Sequence, residues 1–148
     1  MIQIVKDSDT RPWFFLQTAH TTYGMWVMET GHLEHLYYGE RITVDSQDPS
    51  SCTPLVIQRA FAPGNTCTYD REHPQISMED VCLEVGTLGK GDIRDPFLEV
   101  RFADGSVTTD FTFVSYKVFT LREKEQCLQD SGLPHSYSAA ETDSTECL

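Results

Sequence analysis

One stretch limits the fold of this chain more than any other: Phe97–Phe102, then Ala103-Asp104-Gly105-Ser106, then Val107–Phe119. An Asp-Gly pair between two alternating runs signals a β-hairpin, because a tight turn needs a residue that takes positive φ without steric cost. In the second arm Val107, Thr109, Phe111 and Phe113 fall on one face, and Thr108, Asp110 and Thr112 on the other. Such alternation predicts a half-buried strand. An earlier pair of the same kind is Thr22–Glu29 and Leu33–Tyr38, joined at Thr30-Gly31. Aromatic and β-branched residues occur in short segments throughout, with turn residues between them.

Helical periodicity is weak by comparison. Ser77–Leu83 predicts at most a short helical turn, and Leu121–Asp130 could be helical but has no second apolar stripe to support it. Asp45–Pro54 and Phe61–Pro74 read as loops, being rich in Ser, Asp, Pro and Gly. The expected fold class is therefore all-β and antiparallel. The closing Thr-Glu-Cys-Leu (145–148) looks like the start of a strand without its partner, so the chain is expected to be incomplete at its C-terminus.

Composition bears on what such a chain can bind. The 148 residues suffice for about one domain and carry a net charge of −12. A nucleic-acid binder needs a basic surface to displace counterions, and an anionic membrane repels acidic protein, so both partners are excluded. A neutral ligand or another protein fits better. MIQIVKDSDT (1–10) lacks the basic-then-apolar pattern of a secretion signal. The cysteines Cys52, Cys67, Cys82, Cys127 and Cys147 are odd in number and form no CxxC pair. Free thiols in a reducing cytoplasm are the simplest reading, and zinc-ligand spacing is missing. Neither a metal nor a cofactor is expected.

Three stretches invite a chemical reading. In GHLEHLYYG (31–39), strand alternation sends His32, Glu34, Leu36 and Tyr38 one way and Leu33, His35 and Tyr37 the other. The two histidines then cannot share a metal, and the order His-Leu-Glu-His does not fit HExxH. GTLGKGD (86–92) has Gly91 where a phosphate loop needs Ser or Thr after its lysine, so it reads as a glycine-rich turn. The segment Val56–Val81 offers Gln58, Arg59, Asn65, Tyr69, Asp70, Arg71 and His73 around Pro63-Gly64. Amides and a guanidinium can hydrogen-bond sugar hydroxyls, and an aromatic ring supplies a flat apolar face. The bland alternative is a solvated loop.

Taken in order, GHLEHLYYG, QRAFAPGN, TLGKGDIRDPFLEVRFADGSVTTDFTF and LPHSY resemble the N-terminal domain of family 36 α-galactosidases. A Gly-x-Leu-x-His-x-Tyr-x-Gly element is met by Gly31, Leu33, His35, Tyr37 and Gly39. Arg-Ala-Phe-x-Pro falls on Arg59, Ala60, Phe61 and Pro63, and Gly-x-x-Asp-x-Arg-x-Pro on Gly89, Asp92, Arg94 and Pro96. Leu-Pro-x-x-Tyr falls on Leu133, Pro134 and Tyr137. The resemblance implies a large antiparallel β-sandwich, of the supersandwich type, preceding a (β/α)₈ barrel. Residues 1–148 would form most of that sandwich domain, with the barrel outside this chain. It also implies retaining hydrolysis of terminal α-galactosides such as melibiose and raffinose, by two aspartates on the barrel. The chain alone, without them, is expected to be inactive. In the family a loop of this domain joins the substrate rim, in some members across a subunit contact, which implies a homo-oligomer. The position before Arg-Ala-Phe commonly holds a sugar-binding aspartate; here it is Gln58, and Arg71 matches a nearby family arginine. Gln58 and Arg71 are the candidate substrate-binding residues, with α-galactoside oligosaccharides and the parent barrel as partners. The competing reading is a stand-alone carbohydrate-binding or oligomerisation module.

Overall fold

The structure is a computed structural model that describes residues 1–6, 11–56, 67–120 and 146–147. Four strands form an antiparallel meander: β1 (Ile2–Lys6), β2 (Pro12–Gln17), β3 (Thr21–Val27) and β4 (Leu33–Glu40), in the order β1-β2-β3-β4. The β3–β4 hairpin stands where the alternation placed it. Gly31 closes it at φ 83, its N–H donating to Met28 O at 2.9 Å, a conformation that favours glycine. No clean alternation marks the first two strands. PWFFLQ is a continuous apolar run, the mark of a strand covered on both faces, and β2 is buried at every residue except Leu16, which is half-buried.

One face of the sheet carries Trp13 and Phe15 on β2 and Trp26 on β3. Val5, Val44 and Cys52 complete that core, and Ile42, Leu55 and Val56 pack against it. The Trp13 and Trp26 rings lie 4.7 Å apart. Cys52 sits in the 3₁₀-helix η1 (Pro49–Leu55), within the stretch expected to be loop. Asp48 caps it, accepting from Ser50 N at 3.0 Å, and Pro49 supplies the preset first φ. That Asp-Pro start was a legible helix signal. A second 3₁₀-helix, η2 (Met78–Asp80), fits the short turn expected there, and buries Met78 with Met28, Ile76 and Val81.

The opposite face holds Phe14 on β2, which is 1% exposed. It is covered by Phe113 and Tyr116, with ring centroids 5.9 and 5.1 Å away. This covering segment is the second arm of the expected hairpin. Its turn is present: Gly105 has φ 86, and Phe102 N–H donates to Ser106 O at 2.9 Å. The ladder beyond the turn is not. Thr109 N–H donates to Leu88 O at 2.9 Å and Phe113 N–H to Gly31 O at 2.7 Å. The arm is held instead by these two bonds, and neither it nor 97–102 forms regular strand. The alternation holds from Thr109 on: Thr109 is buried and Phe111 and Phe113 are half-buried, while Thr108, Asp110 and Thr112 are exposed; Val107, expected on the buried face, is exposed.

The end of the chain also differs from expectation. Glu146–Cys147 (β6) does form strand, but it has a partner: it pairs antiparallel with β5 (Phe119–Thr120), Phe119 opposite Cys147. Leu121–Asp130 and the Leu133, Pro134, Tyr137 element lie outside the described residues. The chain is all-β, and no helix among the described residues is long and apolar enough to cross a membrane.

Candidate functional site

The GHLEHLYYG element sits on β4 and the turn before it. His32 and His35 do lie on opposite faces. His32 is 1% exposed, with Thr30 Oγ1 2.8 Å from its Nδ1 and Asp110 Oδ1 2.7 Å from its Nε2. An ionised carboxylate only accepts, so Nε2 donates to Asp110, and Nδ1 shares a hydrogen bond with the Thr30 hydroxyl. His35 faces the other way, its ring 5.0 Å from Tyr23 and its Nδ1 3.1 Å from Glu84 Oε1. The Tyr23 hydroxyl donates to both oxygens of Glu84 at 2.6 Å. Burial, then that bond and the Glu84 charge, push the Tyr23 phenol up to about 12. Glu34 is 0% exposed and accepts from Trp26 Nε1 at 2.8 Å. Each of these polar groups is already committed to a protein partner.

Beyond His35 the strict alternation expected of this strand breaks. A register shift between Gly24 and Met25 sets Gly24 opposite Tyr37 and Met25 opposite His35, which leaves Leu36 as an extra residue. Such a bulge reverses the faces after it. A Cβ added at Gly24 would meet Phe15 at 3.1 Å and the Tyr37 Cβ at 3.6 Å, so Tyr37 lies on the Phe15 side. Tyr38 lies on the Tyr23 side, ring centroids 6.1 Å apart. Leu36 packs into the Trp13–Phe15 core.

GTLGKGD is a turn, as its glycines implied. Gly89, Lys90 and Gly91 all have positive φ (92, 57 and 87), and Asp92 N–H donates to Gly89 O at 3.1 Å. A lysine in this left-handed region is uncommon. The turn leaves Lys90 Nζ 3.6 Å from Asp110 Oδ2 and 5.5 Å from the Tyr69 ring centroid. Just after it, Arg94 grips Asp92 through Nε at 2.9 Å and Nη2 at 3.1 Å, and Nη2 also donates to Met78 O at 2.7 Å. Burial alone would raise the Asp92 carboxyl; the bonds and charge of Arg94 outweigh it and hold the group below the usual range. These two family-element residues therefore tie the turn to η2, a role the spacing alone did not disclose.

Of the two candidate substrate-binding residues, Gln58 lies outside the described residues. Arg71 is exposed and makes no hydrogen bond or ion pair among the described residues. It belongs to a tight loop. Tyr69 N–H donates to Ile76 O at 2.8 Å, and Ile76 N–H to His73 O at 3.1 Å. Asp70 Oδ1 accepts from the N–H groups of Glu72 and His73 at 2.9 and 2.7 Å, and its carboxylate meets His73 Nδ1 at 2.9 Å. Asp70 is thus spent on holding the loop, which presents Arg71 at its tip. Tyr69 donates to Asp110 Oδ2 at 3.0 Å. Burial and then that carboxylate push its phenol up to about 12.

Residues 31–148 match the family model of the glycosyl hydrolase family 36 N-terminal domain. The chain belongs to that family. This family 36 N-terminal domain is 37% identical over 107 residues to the bifunctional alpha-galactosidase/sucrose kinase AgaSK of Mediterraneibacter gnavus, covering 71% of the chain and 11% of that protein. It is 27% identical over 124 residues to alpha-galactosidase AgaA of Geobacillus stearothermophilus, covering 84% and 15%. Among solved structures it resembles an alpha-galactosidase from Lactobacillus brevis, with a TM-score of 0.64 and 32% identity over 78% of the chain and 14% of that protein. The match thus spans less than a fifth of each relative's length.

Proposed function

We propose that these residues form the N-terminal β-sandwich of an α-galactosidase, where they brace the catalytic barrel and lend the substrate rim a loop bearing Gln58 and Arg71. The family match over residues 31–148, to proteins named α-galactosidases, carries this reading. The parent enzyme would hydrolyse terminal α-galactosides of the melibiose or raffinose type with retention, using two carboxylates. Those belong to a barrel of about 250 residues, which cannot be built from a 148-residue all-β chain. The exposed guanidinium of Arg71 supports the rim role, since its planar fork of donors suits paired sugar hydroxyls. A cytoplasmic location belongs to the same proposal.

Two tests follow. Purified residues 1–148 should not hydrolyse an aryl α-galactoside, whereas the full-length protein that carries them should. In that protein Gln58→Ala and Arg71→Ala should each lower kcat/KM about tenfold, the scale of one lost hydrogen bond to the substrate. Unchanged kcat/KM in both variants removes the rim role. A homo-oligomer is the second expectation. Ile93, Phe97 and Val114 are 84%, 73% and 90% exposed, which gives the isolated chain apolar surface for self-association. Light scattering should show species larger than a monomer that persist in high salt; a monodisperse monomer at every concentration refutes this.

A further inference from the structure

The loop that carries Arg71 is attached to the body of the domain in two different ways. On its C-terminal side Ile76, 6% exposed, packs with Met28, Met78 and Val81. An apolar contact of this kind is strong but has no preferred direction. On its N-terminal side the Tyr69 ring packs against the same cluster, and its hydroxyl adds a polar, directional attachment. Tyr69, two positions before Arg71, donates to Asp110 Oδ2 at 3.0 Å. The other oxygen of Asp110 is held by the buried His32 at 2.7 Å, and the His32 ring meets the Tyr69 ring edge-on at 5.0 Å. Thr30 fixes the far nitrogen of His32 at 2.8 Å. Lys90 closes the cluster, its Nζ facing both Asp110 and the Tyr69 ring.

These bonds form one line: Thr30 on the β3–β4 turn, His32, Asp110, Tyr69, and then the Arg71 tip. Asp110 is itself set by its backbone neighbours, since Thr109 is bonded to Leu88 and Phe113 to Gly31. The direction of the Tyr69 phenol is therefore dictated by the sheet.

Building on the rim role of Arg71, the geometry points to Tyr69 and Asp110 as positioning residues that aim the Arg71 guanidinium at the sugar. Neither needs to touch substrate. Removing the phenol hydroxyl leaves the loop closed by its own Asp70 and backbone bonds and held by Ile76 and the aromatic ring, but without the bond that sets its direction.

The test is a double-mutant cycle in the full-length protein that carries this domain, with an aryl α-galactoside as substrate. Tyr69→Phe should raise KM about fivefold with kcat unchanged, and Arg71→Ala should raise it at least as much, as expected for loss of one substrate hydrogen bond. The double variant should match Arg71→Ala alone, because a residue acting through Arg71 has nothing left to aim. Asp110→Asn keeps an acceptor for Tyr69 and should raise KM less than Asp110→Ala. Effects of Tyr69→Phe and Arg71→Ala that multiply would show a structural role independent of Arg71 and overturn the proposal. So would an unchanged KM for Tyr69→Phe beside a raised one for Arg71→Ala. An unchanged KM and kcat/KM for Arg71→Ala takes Arg71 out of the rim, and the positioning role falls with it.

Discussion

Truncation of Phe14 to alanine is expected to cost about 3–5 kcal/mol of unfolding free energy, the range for a large aromatic removed from a close-packed core. The upper part of that range applies here. Phe14 is 1% exposed and bounded by Phe113 and Tyr116, so deletion of its ring opens a void between the sheet and the covering segment. That segment cannot close onto the void, because Phe113 N–H is bonded to Gly31 O at 2.7 Å. Domains of this kind are stable by roughly 5–15 kcal/mol in total, so the variant should lie near its unfolding threshold. Urea unfolding at low protein concentration, followed by the fluorescence of Trp13 and Trp26, the chain's two tryptophans, checks it. A loss below about 1 kcal/mol would mean that Phe113 and Tyr116 do not cover Phe14 in solution.

Replacement of Arg94 by methionine is expected to cost about 2–3 kcal/mol at neutral pH. Breaking a buried ion pair from one side costs about 3–5 kcal/mol, because the remaining charge is stranded. The Asp92 side chain is 1% exposed but that of Arg94 is 43% exposed, so water offsets part of the loss. Arg94→Lys should recover only part of it, since an ammonium cannot reproduce the two-pronged grip on Asp92 and the bond to Met78 O. The pH dependence has a definite sign. With Arg94 present the folded carboxyl of Asp92 titrates below its ordinary 3.8. Its stabilising contribution is therefore complete above that value and is lost as the pH falls through the folded one. Without the guanidinium only the backbone N–H of residue 94, which donates to Asp92 Oδ1 at 3.1 Å, still opposes burial, so the folded carboxyl of the variant titrates higher than that of the wild type and less stability is lost in acid. The gap between wild type and variant should be widest near neutrality and narrow below about pH 4. A gap that stays constant on acidification would disconnect Asp92 from Arg94.

What the sequence disclosed was local. The β3–β4 hairpin, the turn at Asp104-Gly105 and the Gly-Lys-Gly turn each depend on residues a few positions apart, and each stands where the pattern put it. The ladder expected beyond Gly105 is absent, and the arm is bonded instead to residues 31 and 88, distant partners that no local pattern records. The β1–β2 pair was legible in the apolar run PWFFLQ, and η1 in the Asp-Pro start at Asp48, but neither stretch has the clean alternation that marks a half-buried strand. The same distance limit governs the site. His32 meets Asp110 across 78 positions and Tyr69 meets it across 41, so the cluster that holds the Arg71 loop exists only after folding. Asp92 and Arg94 are close enough in sequence to be noticed as a family element, yet the bond from Arg94 to Met78 O depends on the packing of η2.

The bulge at Leu36 changes what the Gly-x-Leu-x-His-x-Tyr-x-Gly spacing means. Its period of two suggests five residues on one side of a strand. They are instead divided: Leu33 and His35 pair with Val27 and Met25, while Tyr37 and Gly39 pair with Gly24 and Thr22 on the opposite face. The motif is thus a frame marker rather than a surface. It counts out the position at which β4 must gain a residue, so that Glu34 can meet Trp26 within the core and Tyr38 can still meet Tyr23 outside it. Deleting Leu36 would turn the bulge into a regular ladder with every pair kept, His35 still opposite Met25 and Tyr37 still opposite Gly24, and would remove only the side chain that packs into the Trp13–Phe15 core.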